Sequence, residues 1–266
     1  MFDRVELKNR AKAALKGKYW MCLAATALVS VLSQIMPQIS LRFGKIGGRT
    51  VSEILQQPEL LAAVGTSAAI IILLMLLLNL AFSIFFVSPL LVGRYRFYIK
   101  AADNTPNFSE IFHVFKSEHY LNVVKTIFMR DLKLLLWSLC YIIPFFVSLV
   151  LCTVNGNAVF LVALSYFGLI PMIMKSYSYF MTDRILAENP EKNWKECISE
   201  SEAMMKNCRF KTFILQLSFL GWILLGILCC GIGAVFVTPY TEAAITQLYL
   251  EKKREINEYA YCYEQL

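Results

Sequence analysis

SEAMMKNCRFKTFILQLSFLGW, residues 201–222, passes from a charged, helix-forming stretch into an apolar one with no linker between them. Just before it stands NWKE, Asn193 to Glu196. Asparagine with a glutamate three residues later is the pattern of a capping box, in which two side chains satisfy backbone N–H groups at a helix start. Trp194, Cys197, Ile198, Met204, Met205 and Cys208 then recur at helical spacing. Lys206-Asn207 closes the helix, because asparagine tolerates the left-handed backbone of a C-terminal cap. From Phe210 onward the chain is apolar. The stretch predicts a short capped helix that feeds directly into a membrane span.

The same arrangement occurs twice earlier. NFSE, Asn107 to Glu110, opens a helix with Phe108, Ile111, Phe112 and Phe115 on one side, and Asn122 marks its expected end. DRVE, Asp3 to Glu6, opens another with Val5, Leu7, Ala11, Ala14 and Leu15, closed by Lys16-Gly17. Tyr19-Trp20 then marks an interface. The returning segments share a proline followed by tyrosines: Pro89 with Tyr95 and Tyr98, Pro171 with Tyr177 and Tyr179, Pro239 with Tyr240 and Tyr249. These tyrosines are expected to form an aromatic belt. The reading is a threefold unit of amphipathic cytoplasmic helix and transmembrane hairpin, over about 3–93, 107–180 and 193–250. Each hairpin starts on the same side, so the units are parallel and related by an axis along the membrane normal.

Composition agrees. Of 266 residues 58% are hydrophobic and 17% charged, with mean hydropathy +0.55. A soluble domain is nearer 45–50% apolar and about 25% charged. Crossing a bilayer takes about 20 apolar residues, and six runs qualify: about 19–36, 68–92, 127–149, 157–175, 212–230 and 232–250. The first is short and broken by Pro37, and the third and fourth meet at Asn155-Gly156, a strong turn pair. An 18-residue charged stretch precedes the first run, which is unlike a cleaved signal peptide. The fold class is therefore all-α: one integral membrane domain over 1–255 and a short cytoplasmic tail at 256–266. Alternate inter-span segments hold 21 Lys and Arg residues against three. By the positive-inside rule both termini are cytoplasmic.

This orientation also accounts for the net charge of +7, and no basic patch interleaved with aromatics points to nucleic acid. The eight cysteines contain no C-x-x-C pair, and His113 and His119 are six apart, so no metal or disulfide framework is expected. No H-E-x-x-H, G-x-S-x-G or Walker loop occurs, so neither an enzyme nor a cofactor is expected. An ionisable residue inside a span is a site hypothesis by default. Glu242 is the strongest, four residues after Thr238-Pro239, where the proline frees a carbonyl. Its alternative is a carboxylate near the interface, hydrogen-bonded to Thr238 or Thr246. Asn79 and Gln216 are further polar candidates, better read as interhelical glue. Arg130, Asp131 and Lys133 sit at the mouth of the third span as a local ion pair.

LWSLCYIIP (136–144), KSYSYFMTDRILAENPE (175–191), EAMMKNCRFKTFILQLSFLGWILL (202–225), GIG (231–233) and PY (239–240) resemble the DUF975 family of bacterial integral membrane proteins. The likeness covers 1–20 weakly and 85–250 well. Where the family has proline-glycine this chain has Pro144-Phe145, and Asn207 stands in place of a glycine. The resemblance implies a class and a location but no mechanism. Two functions are open at this point. One is a non-enzymatic scaffold or accessory protein, whose partners are membrane lipids or another membrane protein. The other is a small transporter, for which Glu242, Asn79 and Gln216 should converge on a central cavity.

Overall fold

The computed structural model describes residues 3–43, 45–46, 49–50, 70, 73–155, 166–228 and 232–264. Among them the fold is helical. Helix α1 (Arg4–Leu15) turns into α2 (Tyr19–Phe43). A two-residue antiparallel pairing, β1 (Lys45–Ile46) with β2 (Arg49–Thr50), is the one strand pairing among these residues. Then come α3 (Leu73–Ala102), α4 (Ser109–Lys116), α5 (Tyr120–Asn155), α6 (Leu169–Ser178), α7 (Thr182–Glu188), α8 (Trp194–Met205), α9 (Arg209–Leu228) and α10 (Ile232–Glu264).

The helix starts follow the sequence chemistry. Asp3 accepts from the Val5 N–H at 3.0 Å, Asn107 from Ser109 at 3.0 Å, and Asn193 from Lys195 at 3.5 Å. The glutamates of the second and first motifs are engaged elsewhere: Glu110 pairs with Arg96 and Glu6 with Arg10. The helix ends also match, with Gly17 at φ +79° and Asn207 at φ +64°. These residues make two sharp elbows. The axis bends 94° between α1 and α2, and 81° between α8 and α9.

Three expectations change. Pro37 does not end the first apolar helix, which runs through it to Phe43. Asn122 does not cap α4. That helix stops at Lys116, where the Ser117 hydroxyl accepts from the His119 N–H and starts α5. Asn122 lies inside α5 and donates to the carbonyls of Pro190 and Lys192 at 2.7 and 2.8 Å. Tyr98, Tyr179 and Tyr249 are not a belt but core residues, at most 4% exposed. Their burial is tolerable where the hydroxyl is partnered: Tyr98 meets Thr26 at 2.6 Å, and Tyr249 donates to Glu188 at 2.6 Å. Gly156 of the Asn155-Gly156 pair and residues 229–231 lie outside the described residues.

Buried side chains gather at one end of the long helices. Leu7, Ala11 and Leu15 of α1 join Leu248 and Tyr249 of α10, Phe97 of α3, Ile111 of α4 and Met205 of α8 in one cluster. Glycine permits two close approaches. A Cβ on Gly93 would lie 1.9 Å from the Ile111 carbonyl oxygen, and one on Gly233 would lie 2.6 Å from Gly226 Cα.

Beyond this cluster the apolar helices stand with bare sides. Leu74, Leu76 and Leu77 of α3, Leu136, Phe146 and Val150 of α5, and Trp222 and Leu225 of α9 are each more than half exposed. A water-facing surface rarely carries so much contiguous apolar area. Among the described residues, Leu73–Ala102 and Tyr120–Thr153 can each cross a membrane by length and composition, and counting each elbowed pair as one span gives four.

Candidate functional site

Pro89 and Pro239 sit inside α3 and α10, and each lacks the N–H that the carbonyl one turn earlier needs. At Pro89 a tyrosine from another helix fills this gap, and near Pro239 a tyrosine donates to the carbonyl next to the freed one. Tyr120 donates to the Phe85 carbonyl, four residues before Pro89, at 2.5 Å. Tyr19 donates to the Phe236 carbonyl, three before Pro239, at 2.8 Å. A π-helical turn at Ser83–Val87 accompanies the first of these sites.

One turn past the prolines the helices carry charge. Arg94 of α3 reaches Glu242 Oε1 at 3.0 Å, and Arg184 of α7 reaches Glu242 Oε2 at 2.9 Å. The three side chains are 12%, 3% and 14% exposed, so the triad is largely removed from solvent. Arg184 also stacks over the Tyr95 ring at 4.4 Å and near Phe180 at 5.4 Å, where the ring faces favour a cation. The Nε groups of both arginines are buried without a hydrogen-bond partner, so Glu242 is the chief compensation for two guanidinium charges. Thr246 donates to the Glu242 backbone carbonyl rather than to its carboxylate.

A belt of further pairs surrounds the triad. Arg96 holds Glu110 at 2.6 Å and the Ala187 carbonyl at 3.1 Å. Arg130 bridges Asp131 and Asp183, so the pair expected within α5 extends to α7. Lys253 meets Glu188 at 2.6 Å. Burial alone would raise the Glu188 pKa, but hydrogen bonds from Lys253 and Tyr249 hold it below its ordinary 4.5. Burial also pushes the Cys197 thiol up to about 11, which leaves it protonated and unreactive at neutral pH.

The three polar candidates from the sequence do not meet. Glu242 is held by arginines. Asn79 donates to the Met75 carbonyl of its own helix at 2.8 Å. Gln216 does bridge helices, accepting from the Tyr177 hydroxyl of α6 at 2.6 Å. Among the described residues, none of the three lines either of two large cavities. One, of about 530 Å³, lies at the first elbow beside Lys12, Lys16, Tyr19 and Tyr240. The other, of about 440 Å³, lies between α6 and α9. Among the described residues no three His, Cys, Asp or Glu side chains are grouped to hold a metal ion.

Sequence reasoning missed Arg94 and Arg184, which it counted only as charges setting orientation. A glutamate in an apolar helix was itself the signal, since such a charge requires a counter-ion. Their separations of 148 and 58 residues from Glu242 hid which arginines supply it.

No curated protein and no solved structure matches the chain. The profile of a family described as "Protein of unknown function (DUF975)" matches residues 1–255. With nearly the whole chain matched, the protein belongs to the DUF975 family.

Proposed function

We propose that this protein is a six-span integral protein of the cell membrane, with both termini cytoplasmic, that acts as a non-enzymatic scaffold or accessory factor and engages lipid through its bare helix faces. Its three units each place a short helix on the cytoplasmic side before a hairpin. Two bent helix pairs and three side-chain caps at matching positions support the repeat. The ends of the units form the belt of ion pairs, and the long helices project from it into the bilayer.

One observation carries the choice of function. The most polar intramembrane candidate, Glu242, is clamped by two arginines drawn from other helices and faces neither large cavity. A charge consumed in this way ties units together and is not available to bind a transported solute. The transporter reading required Glu242, Asn79 and Gln216 to converge, and their separate partners count against it.

The topology is tested with single cysteines in a cysteine-free background, one at 155 and one at 260, probed with a membrane-impermeant maleimide on intact cells. Labelling at 155 and protection at 260 is the expected result. The reverse pattern, or equal labelling, defeats the orientation. Purification in nanodiscs followed by mass spectrometry tests the role: a stoichiometric protein partner supports an accessory factor. A retained small solute that is lost on Glu242→Gln defeats it.

A further inference from the structure

The chain meets the membrane surface at the first residue of each long helix that follows a short one: Tyr19 of α2, Tyr120 of α5 and Arg209 of α9. At the first two, the phenol is tied to the carbonyl of a neighbouring helix, which seals the junction. At the third, arginine replaces tyrosine and no such bond forms. The Arg209 Nε is buried without a hydrogen-bond partner, and Arg209 makes no ion pair among the described residues. The nearest acid in sequence, Glu202, is taken by Lys175 at 3.0 Å.

Beside Arg209 the junction opens into the groove of about 440 Å³. Ile170, Ile173 and Met174 of α6 form one wall, and Phe210 and Phe213 of α9 the other. Tyr177 lines the groove as well, packed edge-on against Phe213 at 6.0 Å, and its bond to Gln216 braces the two helices. The groove therefore joins an uncompensated cation at its mouth to a slot that is almost wholly apolar. It lies on the surface where other helix faces are bare.

We propose that this groove is a binding site for one anionic phospholipid, with the headgroup phosphate on Arg209 and an acyl chain between α6 and α9. Charge complementarity selects the headgroup, since a guanidinium offers a phosphate paired N–H donors. The apolar walls select a chain over a polar peptide. This inference rests on the membrane reading and deepens it by naming the lipid class and the place. The other large cavity, beside Lys12 and Lys16, serves as the control. Lys12 there stands 6.0 Å from the Tyr240 ring.

The test uses the full chain, delipidated in detergent and offered equal amounts of palmitoyl-oleoyl phosphatidylglycerol and phosphatidylcholine, with native mass spectrometry as the readout. The wild type is expected to retain phosphatidylglycerol roughly five- to tenfold over phosphatidylcholine, as one charge-assisted contact implies. Arg209→Gln should bring the ratio to near one, Arg209→Lys should keep most of it, and Lys12→Gln should leave it unchanged. A full preference in Arg209→Gln, or a loss confined to Lys12→Gln, overturns the proposal. A melting curve of Arg209→Gln matching the wild type shows that the variant folds. Carbonate extraction of membranes separates the two levels. A protein that resists extraction yet shows no lipid preference overturns the groove alone, whereas one that is extracted overturns the membrane reading beneath it.

Discussion

Replacing Glu242 with glutamine removes one charge and leaves the shape of the side chain intact. In the native fold its carboxylate oxygens lie 3.0 and 2.9 Å from Arg94 and Arg184. At an effective dielectric near 20, each close pair is worth about 4 kcal/mol of attraction. Burying the carboxylate offsets part of that sum. What remains after the change is two guanidinium groups, one only 3% exposed, with repulsion between them and no counter-ion. Removing one partner of a buried ion pair typically costs about 3–5 kcal/mol. For a chain of this size that corresponds to a fall in Tm of roughly 6–15 °C. The assay is thermal aggregation of a fluorescent fusion in detergent, compared with the wild type and with Glu242→Asp. A further variant with Arg94, Arg184 and Glu242 all changed to methionine should recover much of the loss, because no charge is then left unpaired. If Glu242→Gln melts within about 2 °C of the wild type, the triad is not a structural node and the argument against a transport site fails.

Three further outcomes follow from local geometry. Gly93→Ala places a methyl group 1.9 Å from the Ile111 carbonyl oxygen, so α4 must shift. A loss of about 1–3 kcal/mol is expected, and an unchanged melting temperature would contradict the close approach. Tyr120→Phe should cost about 1 kcal/mol by orphaning the Phe85 carbonyl, and less in a Pro89→Ala background, where a backbone N–H returns. Equal costs in both backgrounds would sever the link between tyrosine and proline. Because the folded Glu188 pKa is depressed, its contribution is present above the unfolded value and lost as pH falls through the folded one. Melting temperature should therefore drop from about pH 5 downward, and Glu188→Gln should flatten that slope. An identical acid slope in both proteins would remove Glu188 as a cause.

The parts of this structure that were legible in the sequence are those set by neighbours along the chain. Asp3 and Asn193 act through N–H groups two residues away, and Gly17 and Asn207 adopt positive φ where their helices end. Local chemistry therefore reveals these helix ends directly. Asn122 looked like a cap by the same logic, but Ser117 had already ended the helix, and the asparagine turned to carbonyls 68 and 70 residues away. The tyrosines misled for a related reason. An amphipathic ring suits a membrane interface, yet it suits a core equally well once Thr26 or Glu188 meets its hydroxyl, and spacing along a helix does not distinguish the two. The triad was the hardest to see. Glu242 announced a need for a partner, but helix order and packing decided which arginines answered it.

The docking of α1 onto α10 has a consequence for biogenesis. Arg10 pairs with Glu251, 241 residues later in the chain, and Leu7, Ala11 and Leu15 are buried in the cluster that Leu248 and Tyr249 complete. At synthesis rates of about 5–20 residues per second, the first helix waits roughly 12–48 s before its partner leaves the ribosome. Throughout that interval an apolar stripe on the amino-terminal segment has no permanent surface to cover it. The nascent protein thus cannot finish this helical cluster vectorially, since its beginning and its end must close on each other as the last act of assembly.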